Sequence, residues 1–282
     1  MTAADLLGGW QPLGGPVLGA LLAGALYAAG VRAVAPAARR GRAGSAEAPR
    51  GAGRSPAARP WPAWRSACFA AGLLVLAWAL ASGLDTWAER RLSVHMVQHL
   101  ALGLVVAPLL VAGAPERLAL RALHGRPRRR LGRALHGRVA RVLLHPAVGA
   151  AAFAGVMLGT HLTGLYVAAL RHPLVHEGEH LVVLAAGALL AASLVRAGPI
   201  ARLVAVTAAT IPMGIVGAWL GWAQTVRYAP YRGPGALHDQ AVGAAIMWAG
   251  AALPLAVGAV ALAGVALWRE EQRQRRREAI AA

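Results

Sequence analysis

The chain reads as an all-α integral membrane protein, a bundle of seven transmembrane helices with the N-terminus outside and the C-terminus cytoplasmic. Three observations predict this. Of its 282 residues, 57% are hydrophobic, and the mean hydropathy is +0.52. The apolar residues gather into runs of about 20, the length at which a helix crosses the hydrocarbon core with every backbone group satisfied internally. The 29 basic residues are all arginine, and they fall in the loops between those runs.

The first span covers 11–34. Only Asp5 carries charge ahead of it, and the run is too long for a signal-peptide core, so residues 1–35 are expected to stay as a helix. Residues 36–65, rich in Arg, Pro, Gly and Ala, cannot bury a core and read as a disordered basic cytoplasmic linker. The rest of the membrane domain is 66–268, with spans at 66–84, 93–113, 147–169, 176–195, 201–223 and 240–268. Its basic cytoplasmic loop is 114–146. There the arginines of 117–141 alternate with Leu, Ala and Val, which fits an interfacial helix broken near Gly125 and Pro127 on anionic lipid, or a plain topology signal. The last span is long enough to protrude or tilt, and 269–282 is a basic cytoplasmic tail. Pro108, Pro212 and Pro254 fall inside the third, sixth and seventh spans, where each removes a backbone hydrogen bond and kinks the helix. Gly155 with Gly159, and Gly217 with Gly221, permit close helix contact.

Orientation follows from arginine alone. With the N-terminus outside, eight arginines lie in 32–65, nine in 117–141, two in 196–202 and five from Arg269 onward, 24 on the cytoplasmic side. The other face has five: Arg90, Arg91, Arg171, Arg227 and Arg232. The positive-inside rule sets the orientation from that split, and the chain is expected in the cell membrane as a multi-pass protein. Topology also explains the net charge of +18 better than a polyanion does, so the bilayer is the expected partner and nucleic acid is not. One cysteine, Cys68, excludes a disulfide framework and a CxxC metal trap.

Seven of the ten histidines fall at the outer ends of the spans. HMVQH places His95 and His99 in the first turns of the third span. HPLVHEGEH places His172 just ahead of the fifth span and His176 and His180 in its first turns. Residues four apart share a helical face, so each HxxxH pair can direct two imidazoles at one centre. His161 lies in the fourth span, and a 1.5 Å rise puts His99, His161 and His180 all roughly 9 to 14 Å below the outer boundary. Ionisable groups in a bilayer cost about 2.5 to 3.5 kcal/mol each on insertion scales, which drives them to face one another. A centre of His95, His99, His161, His176 and His180 is the sharp reading; separate polar anchors or a proton relay are the bland ones.

Asp85, Glu177, Glu179 or Asp239 could accept the free ring N–H of a ligating histidine, with His238 at the rim. Met157 stands one turn from His161, and Met96 and Met247 are further soft donors. Histidines with methionine and carboxylate nearby, and no thiolate, suit copper, zinc, or haem iron held by two histidines. His124, His136 and His145 are expected on the cytoplasmic side. No nucleophile, phosphate loop or paired carboxylate points to an enzyme.

The order of these elements resembles the seven-helix cytochrome c oxidase assembly factor CtaG family, the polytopic kind associated with caa-type oxidases. The resemblance spans roughly residues 70 to 255. It is carried by HMVQH leading into APLLVAGAP, HLTGLYVAALRHPLVHEGEHL, and DQAVGAAIMW. The family's histidine motif falls on His95 and His99. Its histidine ahead of a tyrosine falls on His161 with Tyr166, its HxxEH on His176, Glu179 and His180, and its acidic motif on Asp239 and Gln240. The resemblance implies a role in maturing the oxidase, with a link to copper. The reading taken first is a non-enzymatic factor that holds copper and presents it to oxidase subunit I, and a site opening outward would face extracytoplasmic copper carriers. A copper transporter and a haem-binding membrane redox protein are the alternatives. A transporter would need ligands continuing inward, where Met157, Met213, Met247 and Cys68 are few, and an electron carrier would need a second inner centre.

Overall fold

The computed structural model describes residues 5, 8–10, 14–44 and 60–281. Among them every regular element is helical. In chain order these are α1 Gly15–Gly44, α2 Ala63–Ala81, α3 Gly83–Ala88, α4 Leu92–Leu100, a π-helical segment Ala101–Val106, α5 Ala107–Ala112 and α6 Pro115–Ala122. There follow α7 Gly125–His136, α8 Arg138–Leu143, α9 Pro146–Leu162, α10 Leu165–Arg171, α11 Pro173–Arg196, α12 Pro199–Gly221, a 3-10 turn Ala229–Tyr231 and α13 Ala236–Ala281.

Among the described residues, five stretches are long and apolar enough to cross a membrane: Gly15–Ala35, Ala63–Ala81, Leu92–Ala122, Pro173–Arg196 and Pro199–Gly221. The pair α9 and α10 makes a sixth if taken as one span, but it is bent by 68°. α1 continues to Gly44, past the end expected at 34, and residues 45–59 of the expected linker lie outside the described residues.

Several spans are broken where the sequence predicts continuity, and small hydroxyls do much of the breaking. Ser82 ends α2 and starts α3: its hydroxyl donates to the Trp78 carbonyl at 2.6 Å and accepts from the Leu84 N–H at 3.2 Å, the job of an N-cap. Thr163 separates α9 from α10 in the same way, donating to the Gly159 carbonyl at 2.6 Å and accepting from the Leu165 N–H at 3.2 Å. Pro108 does not produce a plain kink. Its ring would collide with the carbonyl four residues back in a regular helix, and the turn ahead of it has widened into the π-helical segment. One extra residue there rotates the helix by about 100°. His95 and His99 therefore point to a different side of the bundle than the unbroken helix would give them.

The main core gathers buried residues from α2 to α13, among them Leu102, Phe153, Val183, Met213 and Met247. A second cluster joins Tyr27 and Val34 of α1 to Phe69 of α2 and Leu118 of α6. Tyr27 stacks on Phe69 at 4.1 Å and donates to the Gly113 carbonyl at 2.9 Å. The arginine-rich loop forms α6, α7 and α8, separated near Gly125 and Gly137, and α7 buries none of its residues.

Close backbone approach fixes the neighbours of the histidine helices. A Cβ on Gly187 of α11 would lie 2.5 Å from the Gly103 carbonyl oxygen of the π-helical segment. Only glycine lets those backbones meet, and the meeting point lies two turns from His180 and one from His99 on their shared faces. Gly217 packs under Trp248 and Gly221 against Ala244. Gly155 and Gly159 meet nothing among the described residues and do not serve the contact expected of them.

Candidate metal centre

The start of α4, the end of α9 and the start of α11 meet, and each brings histidine. His95, His99 and His180 are buried and offer ligand nitrogens that all lie within 4.8 Å of one another. His161 lies outside that triangle, with its ring 5.3 Å from that of His99. His176 also lies outside it, with its ring 4.3 Å from His180 and 5.3 Å from His95. The five histidines form a core of three with one flank on each side, rather than a single five-ligand point.

Glu179 is buried against the triangle. One carboxylate oxygen is 3.9 Å from His95 Nε2 and the other 3.8 Å from His99 Nε2, and neither has a hydrogen-bond partner among the described residues. His99 Nδ1, His161 Nε2, His176 Nε2 and His180 Nε2 are likewise buried without partners. Buried polar atoms are normally satisfied. Two of these orphaned nitrogens belong to His99 and His180 of the triangle and both orphaned oxygens to Glu179 beside it, and imidazole lone pairs and a carboxylate are donors to a cation and not to one another.

Proton positions follow from the surrounding acceptors. Tyr231 donates to the Ala88 carbonyl at 2.8 Å, and burial pushes its phenol up, against the Tyr166 hydrogen bond, so it keeps its proton. Having spent that proton, its oxygen can only accept from His95 Nδ1, 2.9 Å away. A neutral His95 is then bare at Nε2, where His99 Nε2 lies 2.9 Å off. His161 Nδ1 faces the Met157 carbonyl at 2.9 Å, which only accepts, so His161 is also bare at its orphaned Nε2. Thr160, whose proton goes to the Val156 carbonyl at 2.8 Å, supports the same tautomer. Both locks aim a lone pair inward, the arrangement typical of metal-ligating histidine.

The auxiliary residues sort differently from expectation. Glu179 faces the imidazoles. Met157 enters through its backbone carbonyl. Asp85 accepts from Gln98 Nε2 at 2.7 Å and not from an imidazole; burial pushes its carboxyl up, with Gln98 and the charge of His176 opposing. Asp239 is engaged elsewhere. It accepts from the Ser93 N–H at 3.3 Å and hydroxyl at 2.5 Å, with Arg91 3.9 Å away. The physical reason is that α4 begins with unsatisfied N–H groups, which attract a carboxylate arriving at their level. His238, His172 and Glu177 are exposed, and His124, His136 and His145 are exposed in the arginine-rich region and at the start of α9.

Tyr228, Tyr231 and Gln98 escape sequence reasoning. Tyr228 donates to the His161 carbonyl at 2.8 Å and packs on Tyr166 with ring centres 4.2 Å apart. Tyrosine usage was the available signal: the chain has four, and three of them line this centre.

The family model described as cytochrome c oxidase caa3 assembly factor matches residues 48–269. An uncharacterized protein of Mycobacterium leprae (strain TN) is 29% identical over 128 residues, 43% of this chain and 19% of that protein's length. No solved structure matches.

Proposed function

We propose that this chain, which belongs to the cytochrome c oxidase caa3 assembly factor family, is a non-catalytic membrane factor that carries copper to the oxidase it helps assemble. The observation that supports this is the triangle of His95, His99 and His180 beside Glu179, with bare or orphaned nitrogens around it. Three imidazoles and one carboxylate suit copper or zinc, and membership of an oxidase assembly family favours copper. His95 and His99 are in direct hydrogen-bond contact on one helix, so that pair does not bracket a porphyrin and a haem would need histidines from two helices.

The topology assigned to it is seven spans in the cell membrane, with α13 as the last and with the bent pair α9 and α10 counted as one. The 24 to 5 division of arginines supports an N-terminus outside. That orientation sets the buried centre near the outer face, where copper carriers deliver and where subunit I of the oxidase receives. A transporter would pass the ion onward, but the inner half holds few donors: Met213 and Met247 lie in the apolar core.

The test is elemental analysis and a visible spectrum of the protein purified in detergent. Copper at a fixed stoichiometry, absent from a His99→Ala/His180→Ala double variant, is the expected result. A Soret band, or unchanged copper in the double variant, overturns the proposal. Copper uptake into proteoliposomes would replace delivery by transport.

A further inference from the structure

The core triangle is closed on every side by protein: His95, His99, His161 and His180 are 0%, 2%, 0% and 6% exposed, and Glu179 is 4% exposed. An ion held there sits among buried side chains, away from bulk water that could take over a coordination position as a bond to imidazole breaks. A site that delivers its ion needs such a substitute, because losing one ligand outright in a dry pocket leaves charge uncompensated.

His176 stands where the substitute would be. It is the half-buried member of the five, one turn nearer the outer end of α11 than His180. Its ring lies 4.3 Å from that of His180 and 5.3 Å from that of His95, close enough to meet an ion leaving either. Its Nε2 is buried and has no hydrogen-bond partner among the described residues, so nothing in the fold occupies that nitrogen. Outward from it the chain is open, with Glu177 and His172 exposed on the same helix end.

We infer that His176 is an exchange ligand: it takes copper from the outer face, passes it to the triangle and receives it back on release, while adding little to the affinity of the loaded state. This rests on the copper-carrying reading above. No covalent or redox step is involved; one copper–imidazole bond forms as another breaks, and the ion's charge is conserved. A donor already in position replaces a bimolecular encounter with solvent or carrier by an intramolecular step, which is the source of the rate advantage. It also predicts that equilibrium and kinetics separate, since the triangle alone sets the stability of the bound ion.

The experiment uses full-length protein in detergent, loaded with copper of one isotope and chased with an excess of another. Copper retained is read by mass spectrometry after rapid desalting. His176→Ala, and His176→Gln as a variant that preserves volume and polarity, should hold copper at wild-type stoichiometry and affinity but exchange it more slowly by about tenfold or more. His172→Ala, at the exposed rim, should exchange at the wild-type rate. Wild-type exchange rates in both His176 variants overturn the inference. So does loss of copper from both to the extent seen in His180→Ala, which would make His176 a fourth holding ligand. Wild-type protein that takes up no copper removes the carrier reading itself, and the inference with it.

Discussion

Tyr231 holds His95 in one tautomer: its hydroxyl proton is committed to the Ala88 carbonyl, so the oxygen 2.9 Å from His95 Nδ1 can only accept. Replacement by phenylalanine removes the acceptor that fixes His95 Nδ1–H and the hydroxyl that holds the Ala88 carbonyl. Loss of such a support to a ligating histidine weakens metal binding by about 10 to 100-fold. Tyr231→Phe should show that loss in a competition titration with a chelator of known affinity. Nitrogen NMR of labelled histidine should show His95 redistributing between tautomers. Tyr228→Phe is the control, because Tyr228 bonds a backbone carbonyl and no imidazole nitrogen.

Glu179 yields a prediction in which two measurements move in opposite senses. Its carboxylate is buried with both oxygens unpartnered, a cost in the metal-free protein that a bound cation removes. Glu179→Gln therefore lowers copper retention, while the thermal midpoint of the metal-free protein holds or rises. Thermal unfolding in detergent with and without a chelator reads both. Equal destabilisation of the two forms would mean that Glu179 serves packing and not the ion.

The helical membrane character and the histidine faces were legible in the sequence for one reason: both rest on periodicity. Apolar runs of spanning length, and histidines four apart, repeat with the helix and need no knowledge of neighbours. What was not legible depends on contacts between distant segments. Tyr228 and Tyr231 sit in the aperiodic stretch between α12 and α13, and only the chain's return over α9 and α3 brings them to His161 and Ala88. The breaks at Ser82 and Thr163 come from single hydroxyls competing for backbone groups, which composition does not flag. Asp239 was readable as an acidic residue at the right level, but not as one claimed by the start of α4 rather than by an imidazole.

Gly187 should be among the least replaceable positions. A methyl group there would stand 2.5 Å from the Gly103 carbonyl oxygen, and neither backbone can yield without moving the π-helical segment. Overpacking of this kind costs about 1 to 3 kcal/mol. Gly187→Ala should lower the thermal midpoint and, because the same contact sets the spacing of α4 and α11, reduce copper stoichiometry as well. Gly155→Ala, at a position with nothing around it, should leave both unchanged or raise stability slightly, as alanine is the better helix former.

Asp239 tests the division between holding the ion and holding the helices. Its carboxylate takes the Ser93 N–H and hydroxyl at the first turn of α4, five residues before Gln98 of the same helix, which pairs with Asp85 of α3. Loss of a side-chain cap costs about 0.5 to 2 kcal/mol. Asp239→Ala should therefore lower the thermal midpoint by an amount that Asp239→Asn largely restores, since asparagine also caps. Copper stoichiometry should stay at the wild-type value in both, because no imidazole nitrogen bonds to this carboxylate among the described contacts. Copper lost from Asp239→Asn with the fold intact would return Asp239 to the centre as a support for its ligands, and the geometry argues against that outcome.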